Sequence, residues 1–326
     1  MLIAKANLLK LYLAAGFSVD GPSAVVHGSE PWLQCSLDCK WATDIVVVDS
    51  FTEMAFSGNP AAVVFLEDVP HDEIALEKWM QNVALENNLS ETAFVTCQGG
   101  AQANIRYFSP TCEVDLCGHA TLAAAHALFS SRRVAGPRVD FATKRAGAVA
   151  AELRADGLIE LDFPLDENPP RINDPTLAAA LAAALKLASA PANVHRTAMN
   201  DVQCEIEKAE VILGLEPDMA LLAAIDCRLV VPYAAGARAA GEADYTYRCF
   251  GPRVGIPEDP VTGSAQCALA PLFKSRYGKD EVIGHQASKR GGVVRCRVEA
   301  GRVRIAGGAV ETLRGKIPPP QTPARD

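Results

Sequence analysis

The sequence predicts an α+β protein of two similar halves, each an antiparallel or mixed sheet wrapped around a central helix. Three observations carry this. Strand-like segments outnumber helical ones and mostly follow one another directly, so they pair with near neighbours. Residues 113–128 alternate apolar and polar side chains as far as Cys117, then pass through Gly118 into a run of Ala and Leu, the best helix formers. Residues 258–273 repeat that design through Gly263. Aligning the two glycines pairs His119 with Ser264, Ala120 with Ala265 and Ala123 with Ala268, a weak repeat signal in Ala-rich segments. At 326 residues the chain is long enough for two domains with their own cores.

In order, residues 1–43 read as an N-terminal extension. Residues 1–17 are apolar with Lys5 and Lys10 and no acid, which fits an ordinary extension or an organelle-targeting segment; Lys10 interrupts the apolar run and no clear cleavage site follows. The first domain, 44–165, carries strands at 45–51, 61–66, 92–96, 104–108, 141–152 and 158–163, with a Ser-Gly-Asn-Pro turn at 56–60. Ile74, Leu76, Trp79, Met80 and Val83 have helical spacing over 73–83, and 87–91 is a polar corner. The polar, proline-bearing stretch 166–171 is the linker. The second domain, 166–316, has helices at 176–187 and 219–225, strands at 202–206, 228–232 and 245–250, and a hairpin of 293–298 with 302–305. The Pro-rich tail 317–326 is expected to be disordered.

A hydrophobic content of 49% with 21% charged residues describes a soluble globular protein. The net charge of −8 and the lack of a basic run argue against nucleic acid, and no stretch reaches the roughly 20 apolar residues of a membrane span. Ten cysteines are scattered without CxxC pairs, and Cys35 and Cys39 lack a second pair to complete a zinc site. All ten are read as reduced thiols, so the expected compartment is cytoplasmic, or an organelle if residues 1–43 are a targeting segment.

The helix after Gly118 has almost no polar face, so it is expected to be buried on all sides with a bare N-terminus. Free N–H groups and a positive dipole end there favour an anion. The polar residues beside the two helix starts are Cys117, His119, Asp259, Thr262 and Ser264. Glu91 lies in Leu-Ser-Glu-Thr, where partial desolvation would raise its pKa toward general-base work; the alternative is a rim carboxylate bonded by its neighbours. His119 reads as a proton donor, an anion contact, or a polar residue closing a helix end. Ser264 binds a carboxylate or caps its helix. Asp259, before a proline, could be an ordinary turn carboxylate. His126 lies near the face of His119, but a two-His metal site has no third ligand at useful spacing. No GxxxxGK[ST], HExxH or GxSxG motif occurs.

Taken together, Val48-Asp-Ser-Phe-Thr52, Phe56-Ser-Gly-Asn-Pro60 with the following Ala-Ala-Val-Val, Asn88-Leu-Ser-Glu-Thr92, Phe108-Ser-Pro-Thr111, residues 113–126, residues 250–265 and Ser288-Lys-Arg-Gly-Gly292 resemble the phenazine-biosynthesis isomerase (PhzF-like) family. The resemblance covers about residues 44–316 and leaves out 1–43. It implies the diaminopimelate epimerase-like fold, with the active site between two similar domains, no metal, no organic cofactor, and usually a homodimer. It also implies that Glu91 is the catalytic acid/base, that His119, Asp259 and Ser264 contact substrate, and that Gly118 and Gly263 contribute backbone N–H groups. Racemases on this fold use a cysteine pair; here Cys117 fills one position but Thr262 the other, so cysteine-pair epimerisation fails. The expected function is an isomerase moving a proton on a small carboxylate-bearing metabolite. The alternatives are a metabolite- or protein-binding relative without turnover, and an amino-acid epimerase.

Overall fold

The computed structural model describes residues 2–5, 17–22, 32–37, 42–67, 72–167, 169–236 and 243–320. A small antiparallel sheet in the N-terminal extension comprises β1 (Leu2–Lys5), β2 (Phe17–Pro22) and β3 (Trp32–Leu37), with β3 in the middle. The first half runs β4 (Thr43–Ser50), β5 (Asn59–Phe65), α1 (Glu73–Asn87), β6 (Glu91–Gly99), β7 (Gln102–Phe108), β8 (Glu113–Val114), α2 (Gly118–Ser130), β9 (Arg138–Thr143), β10 (Ala148–Leu153) and β11 (Ile159–Pro164). The second half opens with α3 (Pro175–Leu185), β12 (Val194–Arg196), β13 (Val202–Glu205), α4 (Ala209–Leu213), α5 (Met219–Ala224) and β14 (Val230–Ala235). It continues through β15 (Tyr245–Tyr247), β16 (Cys249–Gly251), β17 (Ile256–Asp259), α6 (Gln266–Tyr277), β18 (Glu281–Gln286), β19 (Gly292–Glu299), β20 (Arg302–Gly307) and β21 (Ala309–Ile317).

The repeat that is faint in the sequence is plain in the strand pairing. Along β4–β5–β6–β7–β9–β10–β11 the neighbours are antiparallel, parallel, antiparallel, parallel, antiparallel and antiparallel. Along β12–β13–β14–β15–β18–β19–β20 the order of orientations is the same. In each half the buried helix, α2 or α6, is inserted between the fourth and fifth strands of that series. The halves are also hydrogen-bonded to each other. β11 pairs with β20, and the final strand β21 returns to pair with β4.

Local chemistry explains the helix ends. Asp72 caps α1 by accepting from the Ala75 N–H at 3.0 Å, and Asn88 ends it in the left-handed conformation. Asp174 caps α3 in the same way, with Pro175 at its first position. Pro271 lies inside α6 and cannot donate to the Cys267 carbonyl; the Asp166 N–H from the inter-half segment takes that acceptor at 2.9 Å.

Helix α2 is buried from His119 through Ala125 and again at Ala127 and Leu128, as its composition predicts. One hydrophobic cluster contains its Ala and Leu side chains together with Leu269, Ala270 and Phe273 of α6. Alanine is what lets strands wrap so closely around a helix.

Several expectations are corrected. The strand expected to continue to Cys117 stops at Val114, because the chain turns toward the first turn of α2. The strand expected over 141–152 is two strands, broken before Gly147 at φ 77°. The helix expected at 73–83 runs on to Asn87. Ile317, assigned to the disordered tail, is the last residue of β21, and 321–326 lie outside the described residues. Cys97, Cys112, Cys117, Cys204, Cys227, Cys249, Cys267 and Cys296 are free thiols. Among those residues no helix is long and apolar enough to cross a membrane.

Because Ala123 is fully buried against the surrounding strands, Ala123→Leu should lower unfolding stability by about 1–3 kcal/mol. A fall in the urea midpoint at unchanged slope would check this.

Candidate active site

The first residue of α2 meets the turn that leads into α6, three residues before that helix begins at Gln266. A Cβ built on Gly118 would lie 3.9 Å from the Gly263 Cα, and one built on Gly263 would lie 4.0 Å from the Gly118 Cα. Behind the pair sits Phe51, fully buried and held at φ 63°, a left-handed conformation unusual for a bulky residue. Its ring is 3.6 Å from the Cβ that Gly263 lacks. Neither helix start has a side-chain cap: Cys117 and Ala265 occupy the cap positions without a capping hydrogen bond. Each start carries the positive end of its helix dipole.

Glu91, at the start of β6, is 3.2 Å from His119 Nε2, with 12% and 6% of their side chains exposed. Asn59, the first residue of β5, links this pair to the other half. Its amide nitrogen lies 2.7 Å from Asp259 Oδ1, 2.9 Å from the Val261 carbonyl and 3.1 Å from His119 Nδ1. An amide has two hydrogens for these three contacts, and the shorter two take them. His119 Nδ1 is then free to donate to Cys117 Sγ, 3.4 Å away, while Nε2 donates to Glu91. That arrangement is an imidazolium. Ser90 donates to Asn59 Oδ1 at 3.2 Å, and Ser50 to the His119 carbonyl at 2.8 Å.

The titration behaviour agrees. Burial alone would raise the Glu91 pKa, but the hydrogen bond and charge of His119, with bonds from Cys117 and Ser90, outweigh it and hold the group below its ordinary value. The raised pKa expected for Glu91 is thus corrected, since the sequence does not reveal a cation 3.2 Å away. Burial disfavours the His119 cation, yet Cys117 and Glu91 together push its pKa well above the usual imidazole range. Burial, reinforced by Glu91, raises the Cys117 thiol to about 11. Asp259 is raised chiefly by burial, against the opposing effects of His119, Thr262 and Asn59.

The structure thus brings Glu91, His119 and Asp259 together around Asn59 and sets Gly118 against Gly263. Ser264 has different company. Its hydroxyl accepts from Arg228 at 3.1 Å, and Arg228 is held by a two-pronged pair with buried Asp201 at 2.8 and 2.6 Å. Thr262 donates to Asp259, and its N–H donates to Gln286 at 2.6 Å. His126 is not in the Glu91, Cys117 and His119 donor group. Sequence reasoning missed Asn59, Ser90, Arg228 and Gln286 as site residues. Asn59 and Ser90 lay within motifs already singled out, where a buried polar side chain was the available signal. The Ser288–Gly292 motif also gains a role: Arg290 binds Asp49 at 2.7 Å and the carbonyls of Ser57 and Gly58, fixing the loop that delivers Asn59. A cavity of about 700 Å³ lined by Phe51, Met54, Arg290 and Gly308 does not reach Glu91, His119 or Asp259; the hydrogen-bonded cluster, with its paired helix starts, is the better candidate for chemistry.

Residues 48–315 match the sequence profile of the phenazine biosynthesis-like proteins. The chain belongs to that family. An uncharacterized isomerase of Halalkalibacterium halodurans is 42% identical over 277 residues, covering 84% of this chain and 98% of that protein. A crystal structure of a PhzF-family phenazine biosynthesis protein from Enterococcus faecalis superposes with a TM-score of 0.75 at 35% identity, covering 85% of this chain and 99% of that one. A hydroxyproline epimerase from Agrobacterium vitis, 13% identical with a TM-score of 0.54 over 87% of this chain and 94% of its own, shares the fold alone. The α+β, epimerase-like architecture and the place of this phenazine biosynthesis-like protein among isomerases follow from these likenesses.

Glu91 contributes stability above its unfolded pKa that is lost as pH falls through its lowered folded value. His119 contributes stability below its unfolded pKa that is lost as pH rises through its raised folded value. Glu91→Gln should therefore lower the His119 pKa, seen as an acid shift of its ring resonances in an NMR pH titration; an unmoved His119 would contradict the ion pair.

Proposed function

We propose that this protein is a cofactor-independent isomerase that moves a proton on a small carboxylate-bearing metabolite, with Glu91 as acid and base. The observation that carries the reading is the Glu91–His119 ion pair, 3.2 Å long, set where the uncapped start of α2 meets the turn into α6. Glu91 is ionised at neutral pH, as a base must be, and its side chain remains partly exposed.

In this reading Glu91 takes a proton from a carbon activated by a neighbouring carboxylate or unsaturated group. The anion that forms is met by the backbone N–H groups at Gly118 and Gly263 and by the two dipole ends, which gain most when negative charge develops. The His119 imidazolium lies within reach to stabilise or protonate that charge, and Asp259, whose pKa burial raises, orients a donor on the substrate. The Ser264 hydroxyl accepts from Arg228, so its own proton is available to a substrate oxygen. Glu91 then returns the proton at a second carbon on the same face. Amino-acid epimerisation by a cysteine pair is the weaker reading, because Thr262 stands where the second cysteine would be and its hydroxyl is committed to Asp259. A binder without turnover is weaker too, since such a protein has no use for a carboxylate held ionised beside a cation.

The test is deuterium wash-in from heavy water, followed by NMR over a panel of small cyclic and unsaturated carboxylates. For whichever compound exchanges, Glu91→Gln should slow the exchange by about 10²–10⁴-fold. Exchange equal to wild type would remove Glu91 as the base.

A further inference from the structure

We propose that Glu91, Cys117 and His119 form a divalent zinc site, and that zinc bound there shuts off proton transfer. The clause about proton transfer rests on the reading of Glu91 as the base; the metal site itself does not. One donor atom from each residue lies within 4.8 Å of the other two: a carboxylate oxygen, a thiol sulfur and an imidazole nitrogen. His119 Nε2 is 3.2 Å from Glu91 Oε2 and 3.9 Å from Cys117 Sγ. Bond lengths of about 2.0–2.3 Å at tetrahedral angles place nitrogen and oxygen ligands roughly 3.4 Å apart, and nitrogen and sulfur roughly 3.6 Å apart. The two separations to Nε2 lie within a few tenths of an ångström of those values, and the third, between the carboxylate oxygen and the sulfur, is within 4.8 Å.

The donor types choose the ion. Sulfur and imidazole select zinc over magnesium or calcium, which take oxygen ligands. Three protein ligands leave a fourth position open, the arrangement of an accessible site rather than a closed structural one. Two features hold the ligands in place. The Ser50 bond to the His119 carbonyl fixes the first turn of α2, and Cys117 leads directly into that turn. The charges balance as well. Zinc replaces the thiol proton and the proton on Nε2, both released to solvent, and the cation then sits between a thiolate and a carboxylate. Such an ion would occupy the lone pairs of the base and cancel its charge, so the consequence is inhibition. It would also lie against two helix N-termini, which disfavour a cation and should keep the affinity below that of a structural zinc site.

Cobalt(II), which takes the same geometry and is coloured, is the probe. It would be titrated into the full-length wild type and into Cys117→Ala, with circular dichroism confirming that the variant folds. Wild type should give tetrahedral visible bands together with a near-ultraviolet thiolate-to-cobalt band. Zinc should abolish both, and Cys117→Ala should lack the thiolate band. Cys97 and Cys112, exposed among the cysteines whose side chains are described, remain in both proteins and serve as internal controls. Absence of the thiolate band in wild type, or its persistence in Cys117→Ala, overturns the site. One equivalent of zinc should stop deuterium wash-in, with recovery on chelation; undiminished exchange in a protein whose spectrum shows the site filled overturns the inhibition. Because the spectrum needs no turnover, the metal site stands or falls on the cobalt titration whether or not any compound of the panel exchanges.

Discussion

The approach of Gly118 to Gly263 is the constraint on which the structure depends. The start of α2 and the turn into α6 come together there, a Cβ built on either glycine lying 3.9 or 4.0 Å from the other's Cα, an ordinary contact distance. Each helix brings roughly half a positive charge, so the encounter is repulsive in the absence of anions. Glu91, ion-paired with His119, and buried Asp259, which accepts from Asn59, stand close by. The Ala-rich sequences of α2 and α6 belong to the same requirement, because small side chains allow both sheets to wrap tightly and the helix starts to converge.

The convergence also sets the character of the carboxylate. A desolvated glutamate alone would be a stronger base but would be neutral at the pH where it must act. Beside His119 it gives up basicity and stays charged. Asn59 keeps this pair in register with Asp259 across the two halves, and Arg290 holds the loop behind Asn59. A single amide group on β5 thus joins Ser90 of the first half to Asp259 and the Val261 carbonyl of the second.

The parts legible in the sequence were those governed by local pattern. The buried helix 118–130 was readable because Ala and Leu fill most of 120–128, His119 and Asp259 were singled out as polar residues beside the expected helix starts, and Glu91 as a carboxylate flanking a strand end. What local pattern does not encode is the partner across a cleft. The sign of the Glu91 shift needed the position of His119, and the tie between Ser264 and Asp201 needed Arg228, 36 positions before Ser264. Short strands such as Val194–Arg196 and the bulged Ala309–Ile317 escaped because too few residues alternate cleanly to announce them. The internal repeat was faint for a related reason. It is preserved in the order of strand orientations, which tolerates almost complete replacement of side chains, and not in residue identities.

The return of β21 to β4 has a consequence for biosynthesis. The Thr312 hydroxyl bonds to the Val47 carbonyl across 265 positions of chain. At roughly 5–20 residues per second, a nascent β4 waits on the order of tens of seconds for its edge partner to be translated. During that interval an apolar strand containing Val46 and Val48 has an unpaired side, the kind of edge that recruits other chains. The first half cannot be finished while the ribosome is still at work, so burden on chaperones, more than equilibrium stability, should govern how much of this protein a cell obtains.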